Sequence, residues 1–177
     1  GQYDNISEIF WATGACLMIR AEEYWQSGGL DGQFFAHQEE IDLCWRLKAR
    51  GKSIVCVPQS IVLHVGGGTL NYERPRKTFL NFRNNYLLLY KNLPTKRFVK
   101  VMIVRFLLDY AAMLQMILQC KFKNALQVPK ARREFYKIHK KFSAQKAQNL
   151  GLTIDFFPKG MVKGLIFLKS FLIKNKI

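Results

Sequence analysis

The segment FFAHQEEIDLCWRLKARG, residues 34–51, determines how this chain of 177 residues arranges its acidic side chains. The paired carboxylates Glu39 and Glu40 follow an aromatic run and open a predicted short helix. Acidic groups in the first helical turn are stabilised by the positive end of the helix dipole. Asp42 and Arg46, four residues apart, share one helix face and can pair. The pattern can therefore hold one carboxylate ionised and oriented while its neighbour stays free, as a general base requires.

The same segment has a purely structural interpretation. Acids in the first turn of a surface helix commonly serve only to cap it. The residues that would then face the core are Ile41, Leu43, Cys44 and Leu47. Taken alone, the acidic pattern favours a surface helix that the acids only cap. The motifs on either side of the segment favour instead a catalytic role for these acids.

Four spaced motifs surround the segment in a fixed order. They lie in WATGACLMIRAEEYWQSGGLDGQFFAHQEEIDLCWRLKARG, residues 11–51, and in SIVCVPQSIVLHVGGGTLNYERPRKTFLNFRNNYLLLYKNLP, residues 53–94. Three of them have the forms G-x-x-x-x-x-R, G-G-x-D-x-x-F-F and H-x-G-G, and the fourth reads E-E-x-D-L-x-x-R at residues 39–46, where the family has E-D-x-D-L-x-x-R. With them the chain resembles the C-terminal half of a family 2 glycosyltransferase, in the rhamnosyltransferase-like branch, over about residues 10–94.

This resemblance implies roles for particular residues. The second acid of the family's E-D pair resembles the catalytic base and falls on Glu40, with Glu39 before it and Asp42 completing the candidate catalytic set. The family usually has aspartate at that position, so the longer glutamate leaves open whether Glu40 or Glu39 is the base. His64 matches a histidine that often binds the donor's divalent metal. The candidate substrate-binding residues are Trp11, Gly14, Asp31 and Arg46.

The chemistry of sugar transfer needs more than this stretch supplies. A base must take the acceptor proton, and a cation must stabilise the departing diphosphate. His64 precedes a glycine run, residues 66–68, that allows close backbone approach to a ligand. A hydrogen-bonded strand-end histidine is an equally ordinary interpretation of His64, and the three histidines lack the spacing of a self-contained zinc motif. The chain contains no Asp-x-Asp element for a metal-bound diphosphate.

These observations predict an α/β fold, with a partial GT-A (nucleotide-diphospho-sugar transferase) domain in residues 1–94 followed by a basic helical tail in residues 95–177. The donor-binding half is expected to lie outside this chain, which alone should be inactive. The full-length enzyme is expected to use Mg²⁺ or Mn²⁺, a nucleotide-sugar donor and a glycan or lipid-linked acceptor, in cell-surface polysaccharide biosynthesis. The cysteines have no disulfide spacing and are typical of a cytoplasmic protein.

The charge of the chain is strongly asymmetric. Residues 1–90 carry 9 basic and 9 acidic side chains, whereas residues 91–177 carry 19 basic and only 3 acidic ones. Pro94 is the natural boundary between the two parts. A basic part of this kind suits an anionic surface, either a lipid leaflet or a nucleic acid. No recognised nucleic-acid motif occurs in the tail, so nucleic acid is the less favoured partner.

Residues 98–119 are apolar enough to suggest a membrane span. Five polar residues nevertheless fall within about half of a helical wheel, namely Lys100, Arg105, Asp109, Gln115 and Gln119. Charges at the middle of a lone span are costly. We therefore expect a helix lying on the inner face of the plasma membrane, with residues 98–177 as the membrane-associated region and a second apolar segment at 160–173. Alternatives are packing of the tail on the missing half or on another subunit, and a non-catalytic binding module.

The hydrophobic periodicity predicts the remaining elements. Strands are predicted at 10–19, 53–57 and 60–65. Helices are predicted at 21–26, 39–49 and 75–90, with a basic helical stretch at 121–146.

Overall fold

The computed structural model describes residues 4–64 and 74–160. Its elements are two short strands and seven helices in the described residues. They are, in chain order, β1 (Ser7–Glu8), α1 (Ala21–Gln26), α2 (Glu39–Ala49), β2 (Val55–Cys56), α3 (Pro75–Asn92), α4 (Thr95–Leu118), α5 (Phe122–Ala125), α6 (Gln127–Ile138) and α7 (Ser143–Gly151). Short 3₁₀ helices occupy Gly32–Phe34 and His139–Phe142. The apolar segment predicted at 160–173 lies outside the described residues beyond Gly160.

The two strands form one antiparallel pair, in which Ser7 lies opposite Cys56 and Glu8 opposite Val55. The predicted strand at 10–19 is wrong, and so is the strand at 60–64, because these residues have no regular structure. The strand at 53–57 is confirmed only at Val55–Cys56. An apolar alternating pattern becomes a strand only where a neighbouring strand accepts its hydrogen bonds. The described residues supply that neighbour for two positions only.

The helices agree more closely with the sequence. α1 and α2 have the predicted bounds, and α3 begins at Pro75 as predicted but continues two residues beyond 90. Proline is well suited to the first helical position because the missing N–H has no partner there in any case. Leu93 ends α3 in an extended conformation, which the following proline favours.

One hydrophobic core joins the two parts of the chain on either side of Pro94. α3 lies at its centre and packs against α2, α6 and α7. The buried residues of this hydrophobic core are Phe34, Trp45, Ala49, Tyr86, Leu87, Leu88, Leu93, Met102, Ala131, Phe135 and Phe142. The basic helices α6 and α7 therefore pack on α3 of the same chain.

α4 buries its one acidic residue and exposes much of its apolar side. Asp109 and Met102 are the buried residues of this helix, so its acidic side faces the protein. The apolar side, which includes Ile103 and Leu107, faces outward. Among the described residues α4 is the one helix long and apolar enough to cross a membrane, judged by length and composition alone, and 11% of its most apolar stretch is buried.

Candidate active site

Glu39 and Glu40 occupy the first turn of α2, as the sequence predicts. Both side chains are partly buried. The Oε2 atom of each carboxylate is buried and makes no hydrogen bond to any described residue. Buried polar atoms are nearly always paired, so two adjacent carboxylate oxygens with no partner among the described residues are an unusual feature of this helix.

The environment of Glu40 changes its acidity. Burial raises the pKa of the Glu40 carboxyl, and the neighbouring charge of Glu39 raises it further. A carboxylate works best as a general base when its pKa moves toward the operating pH. The environment of Glu40 is therefore better suited to a general base than the environment of an ordinary surface carboxylate is.

The loop before α2 is held in an unusual conformation. Phe35, His37 and Gln38 have φ values of 65°, 69° and 77°, in the left-handed region that residues other than glycine seldom adopt. Such residues persist only where the surrounding structure holds them, and they concentrate at functional sites. This loop leads directly into α2, whose first two residues are Glu39 and Glu40.

Two side chains of α3 hold this loop. The amide nitrogen of Asn84 donates to the carbonyl oxygens of Phe34, Ala36 and His37 at 2.9, 2.8 and 2.8 Å. Arg83 donates to the carbonyl of Phe34 at 3.1 Å. Sequence reasoning missed Asn84, which is fully buried. One feature of the sequence could have identified Asn84: it is a polar residue four positions after Leu80, on the same inward-facing side of α3.

His37 is a further residue of the site that sequence reasoning missed. Burial lowers the pKa of its imidazole, and the positive charge of Lys77 lowers it further. Its Nε2 atom is buried without a hydrogen-bond partner among the described residues. His37, Glu39 and Glu40 thus place three unpaired polar atoms within four consecutive residues.

Asp42 and Arg46 form the predicted ion pair, at 3.0 Å, but inside the protein. Asp42 is fully buried, and it also accepts hydrogen bonds from Lys91 at 2.9 Å and from Asn92 at 2.8 Å. Arg46 is buried as well, and it donates to the carbonyl of Gly29 at 2.7 Å. Both residues therefore anchor α2 to its surroundings.

Asp31 takes part in the same network. Its carboxylate caps the Gly32–Phe34 turn by accepting from the backbone of Gln33 and pairs with Lys91 at 2.7 Å. Burial alone would raise the pKa of Asp31, but the hydrogen bond and charge of Lys91 outweigh it and hold that pKa below its ordinary value.

The segment around Trp11 and Gly14 is brought next to α2. Phe10 packs edge-to-face on Trp45 with ring centroids 5.7 Å apart, and the side chain of Trp11 is exposed. Gly14 lies in a turn where an added Cβ would meet no atom within 4 Å.

His64 is exposed. Nowhere in residues 4–64 and 74–160 do three histidine, cysteine, aspartate or glutamate side chains gather in a way that could hold a metal ion. The described residues do not by themselves compose the site for the divalent metal that the resemblance implies.

Replacing Glu40 with glutamine is expected to raise the melting temperature at neutral pH. Because the folded-state pKa of Glu40 lies above its ordinary value of 4.5, folding disfavours the ionised form, and stability is lost as the pH rises through the folded pKa. Below that ordinary value both states are protonated, so the difference between variant and wild type should vanish there. Thermal unfolding followed from acidic to neutral pH checks this. A melting temperature lowered by the substitution at neutral pH would show that Glu40 is merely a capping acid.

Comparisons with known proteins extend these observations. No family model matches the chain, and no solved structure matches it significantly. The chain is 41% identical over 56 residues to the N-acetylglucosaminyl-diphospho-decaprenol L-rhamnosyltransferase of two Mycobacterium tuberculosis strains, covering 32% of this chain and 18% of that enzyme. It is 28% identical over 88 residues to the low-salt glycan biosynthesis hexosyltransferase Agl10 of Haloferax volcanii, covering 49% of this chain and 29% of that enzyme. The matched region is less than a third of the length of these curated relatives, and over these short stretches the chain is related to glycosyltransferases.

Proposed function

We propose that this chain is the acceptor-side part of a family 2 glycosyltransferase of GT-A type, with Glu40 as the general base. The observation that carries the proposal is the Glu40 carboxylate, partly buried, with an unpaired Oε2 atom and a raised pKa at the end of a strained loop. The relation to sugar-transferring enzymes supports the reaction type.

The proposed chemical step uses Glu40 as the proton acceptor. The acceptor hydroxyl donates a hydrogen bond to Glu40 and attacks the anomeric carbon of the donor sugar. A new carbon–oxygen bond forms as the bond to the nucleotide diphosphate breaks, the electron pair leaves with the diphosphate, and the hydroxyl proton passes to Glu40. Glu39 remains the alternative base. Neither donor binding nor stabilisation of the leaving diphosphate is assigned to the described residues, and we place both in the remainder of the native enzyme.

The acceptor class is proposed from the relatives. The name of the mycobacterial relative states a sugar joined through a diphosphate to decaprenol as its acceptor. We infer a lipid-linked saccharide as the acceptor of this chain as well, with a nucleotide sugar as donor.

The test is the substitution Glu40→Gln in the native protein that contains this chain. Because general-base catalysis contributes typically 10²–10⁴-fold, kcat is expected to fall by about 100-fold or more while the donor KM stays near that of the wild type. The wild-type rate should also fall with decreasing pH through a pKa above the ordinary value of 4.5 for glutamate, and this limb should disappear in the variant.

A matched control is Glu22→Gln, which changes an exposed acid in the first turn of α1 and should leave kcat unchanged. Glu39→Gln separates the two candidate bases. If kcat falls with Glu39→Gln and not with Glu40→Gln, the base is Glu39. If neither substitution lowers kcat, the carboxylate pair has no role in proton transfer and the proposal is wrong.

A further inference from the structure

A stripe of apolar side chains on α4 is exposed along most of the helix. Its members are Ile103, Leu107, Leu114 and Leu118, which are 63, 68, 56 and 76% exposed. At 3.6 residues per turn these four positions span about 60° of the helix circumference. We refer to these four residues as the outer stripe.

The side of the same helix that carries Asp109 faces the protein. Asp109 is buried and pairs with Arg105 at 2.9 Å and with Arg132 of α6 at 3.0 Å. It also accepts a hydrogen bond from the hydroxyl of Tyr86 on α3, at 2.8 Å. A surface helix in water normally buries its apolar side and exposes its charges. In the middle of α4 the arrangement is reversed, because Asp109 is buried and the outer stripe is exposed.

Basic residues extend the outer stripe at both ends. Lys96 and Lys100 are exposed, and they lie on the same side of α4, in its first two turns. The exposed Lys121 and Lys123 follow shortly after its C-terminal end. An apolar stripe between basic groups matches the boundary between the acyl chains and the headgroups of an anionic lipid layer.

We propose that α4 docks in the plane of an anionic lipid bilayer, with the outer stripe among the acyl chains and Lys96 and Lys100 at the headgroups. The contacts of Asp109 favour this orientation over a transmembrane one. A spanning α4 would have to leave α3 and α6, which would separate Asp109 from Arg132 and Tyr86 and place a carboxylate in the hydrocarbon. An in-plane α4 keeps every one of these contacts.

The experiment is flotation of the native protein with vesicles rich in phosphatidylglycerol and with vesicles of phosphatidylcholine alone. Binding should be stronger to the anionic vesicles. Since burying a leucine or isoleucine side chain contributes about 1.5–3 kcal/mol, each of Ile103→Glu and Leu107→Glu should weaken vesicle binding roughly tenfold or more. The double variant Lys96→Gln/Lys100→Gln should reduce the preference for anionic vesicles and leave the residual binding to neutral ones unchanged.

The matched control is Met18→Glu, which places the same charge at a fully exposed apolar residue outside α4 and should not change vesicle binding. Circular dichroism of each variant checks that the fold is kept. Vesicle binding that is equal for wild type and outer-stripe variants overturns the proposal. So does the absence of vesicle binding together with a self-association that Leu107→Glu abolishes, since α4 would then face a second copy of the chain. Flotation measures binding without sugar transfer, so its outcome is independent of the proposed function.

Discussion

Replacing Asp42 with asparagine is expected to lower the free energy of unfolding by about 3–5 kcal/mol, the usual cost of breaking a buried ion pair by removing one partner. The substitution removes the carboxylate that pairs with the buried Arg46, and it leaves the buried Lys91 with Asp31 as its remaining carboxylate partner. It also replaces one carboxylate oxygen with an NH₂ group, which donates hydrogen bonds. The side chains of Arg46, Lys91 and Asn92, which now donate to the Asp42 carboxylate, would then face another donor. The loss should therefore exceed that of a typical hydrogen bond.

Urea unfolding followed by the fluorescence of Trp45, which is buried on the same helix, measures this loss. The control is Glu23→Gln, which removes a more exposed ion pair with Lys52 and should cost at most about 1 kcal/mol. An Asp42→Asn protein of wild-type stability that has lost sugar transfer would contradict the structural role and support the predicted catalytic role of Asp42.

Replacing Asp109 with asparagine is expected to lower the free energy of unfolding by about 3 kcal/mol, the lower end of the range for a broken buried pair. The lower end applies because Arg105 remains partly exposed to water, whereas Arg132 is nearly buried. Without the carboxylate, the two guanidinium groups face each other across the contact between α4 and α6. Denaturant unfolding of the native protein in solution measures the effect.

Tyr86→Phe provides a graded comparison for this second substitution. It removes one hydrogen bond to the Asp109 carboxylate and keeps both ion pairs, so the expected loss is smaller, about 1.5–3 kcal/mol for a bond to a charged group. Burial raises the pKa of the Tyr86 hydroxyl and the charge of Asp109 raises it further, so this group stays a donor at neutral pH. Stability unchanged by Asp109→Asn would show that α4 does not pack as described.

The parts of the fold that were predicted correctly depend on local signals. The bounds of α2 follow from acids in its first turn and from Gly51 after its end, and α3 starts at a proline. The pair of Asp42 and Arg46 follows from their spacing along one helix face. The first-turn position of Glu39 and Glu40 follows from the same pattern.

The prediction of strands was wrong for a physical reason. An isolated β-strand is not stable, so an apolar pattern at 10–19 acquires that structure only from a neighbouring strand. The described residues provide instead the side chain of Trp45, against which Phe10 packs in an irregular segment.

The sequence by itself determined the bounds of α1 and α2, the start of α3, the charge asymmetry and the placing of two acids at a helix N-terminus, because each depends on residues close together in the chain. The predicted basic helical stretch at 121–146 is divided in the structure into α5, α6, a 3₁₀ turn and α7. Only the tertiary structure decided that Asp42 is fully buried in ion pairs, whereas Glu39 and Glu40 are only partly buried. Asp42 meets Lys91 and Asn92 across about fifty residues of chain, and Asn84 reaches the loop before α2 over a similar separation. Tertiary contacts also determine that the apolar side of α4 faces outward, because Asp109 faces inward and accepts hydrogen bonds from Tyr86 on α3 and Arg132 on α6. Burial and pairing are properties of packing, and no spacing along the chain specifies them.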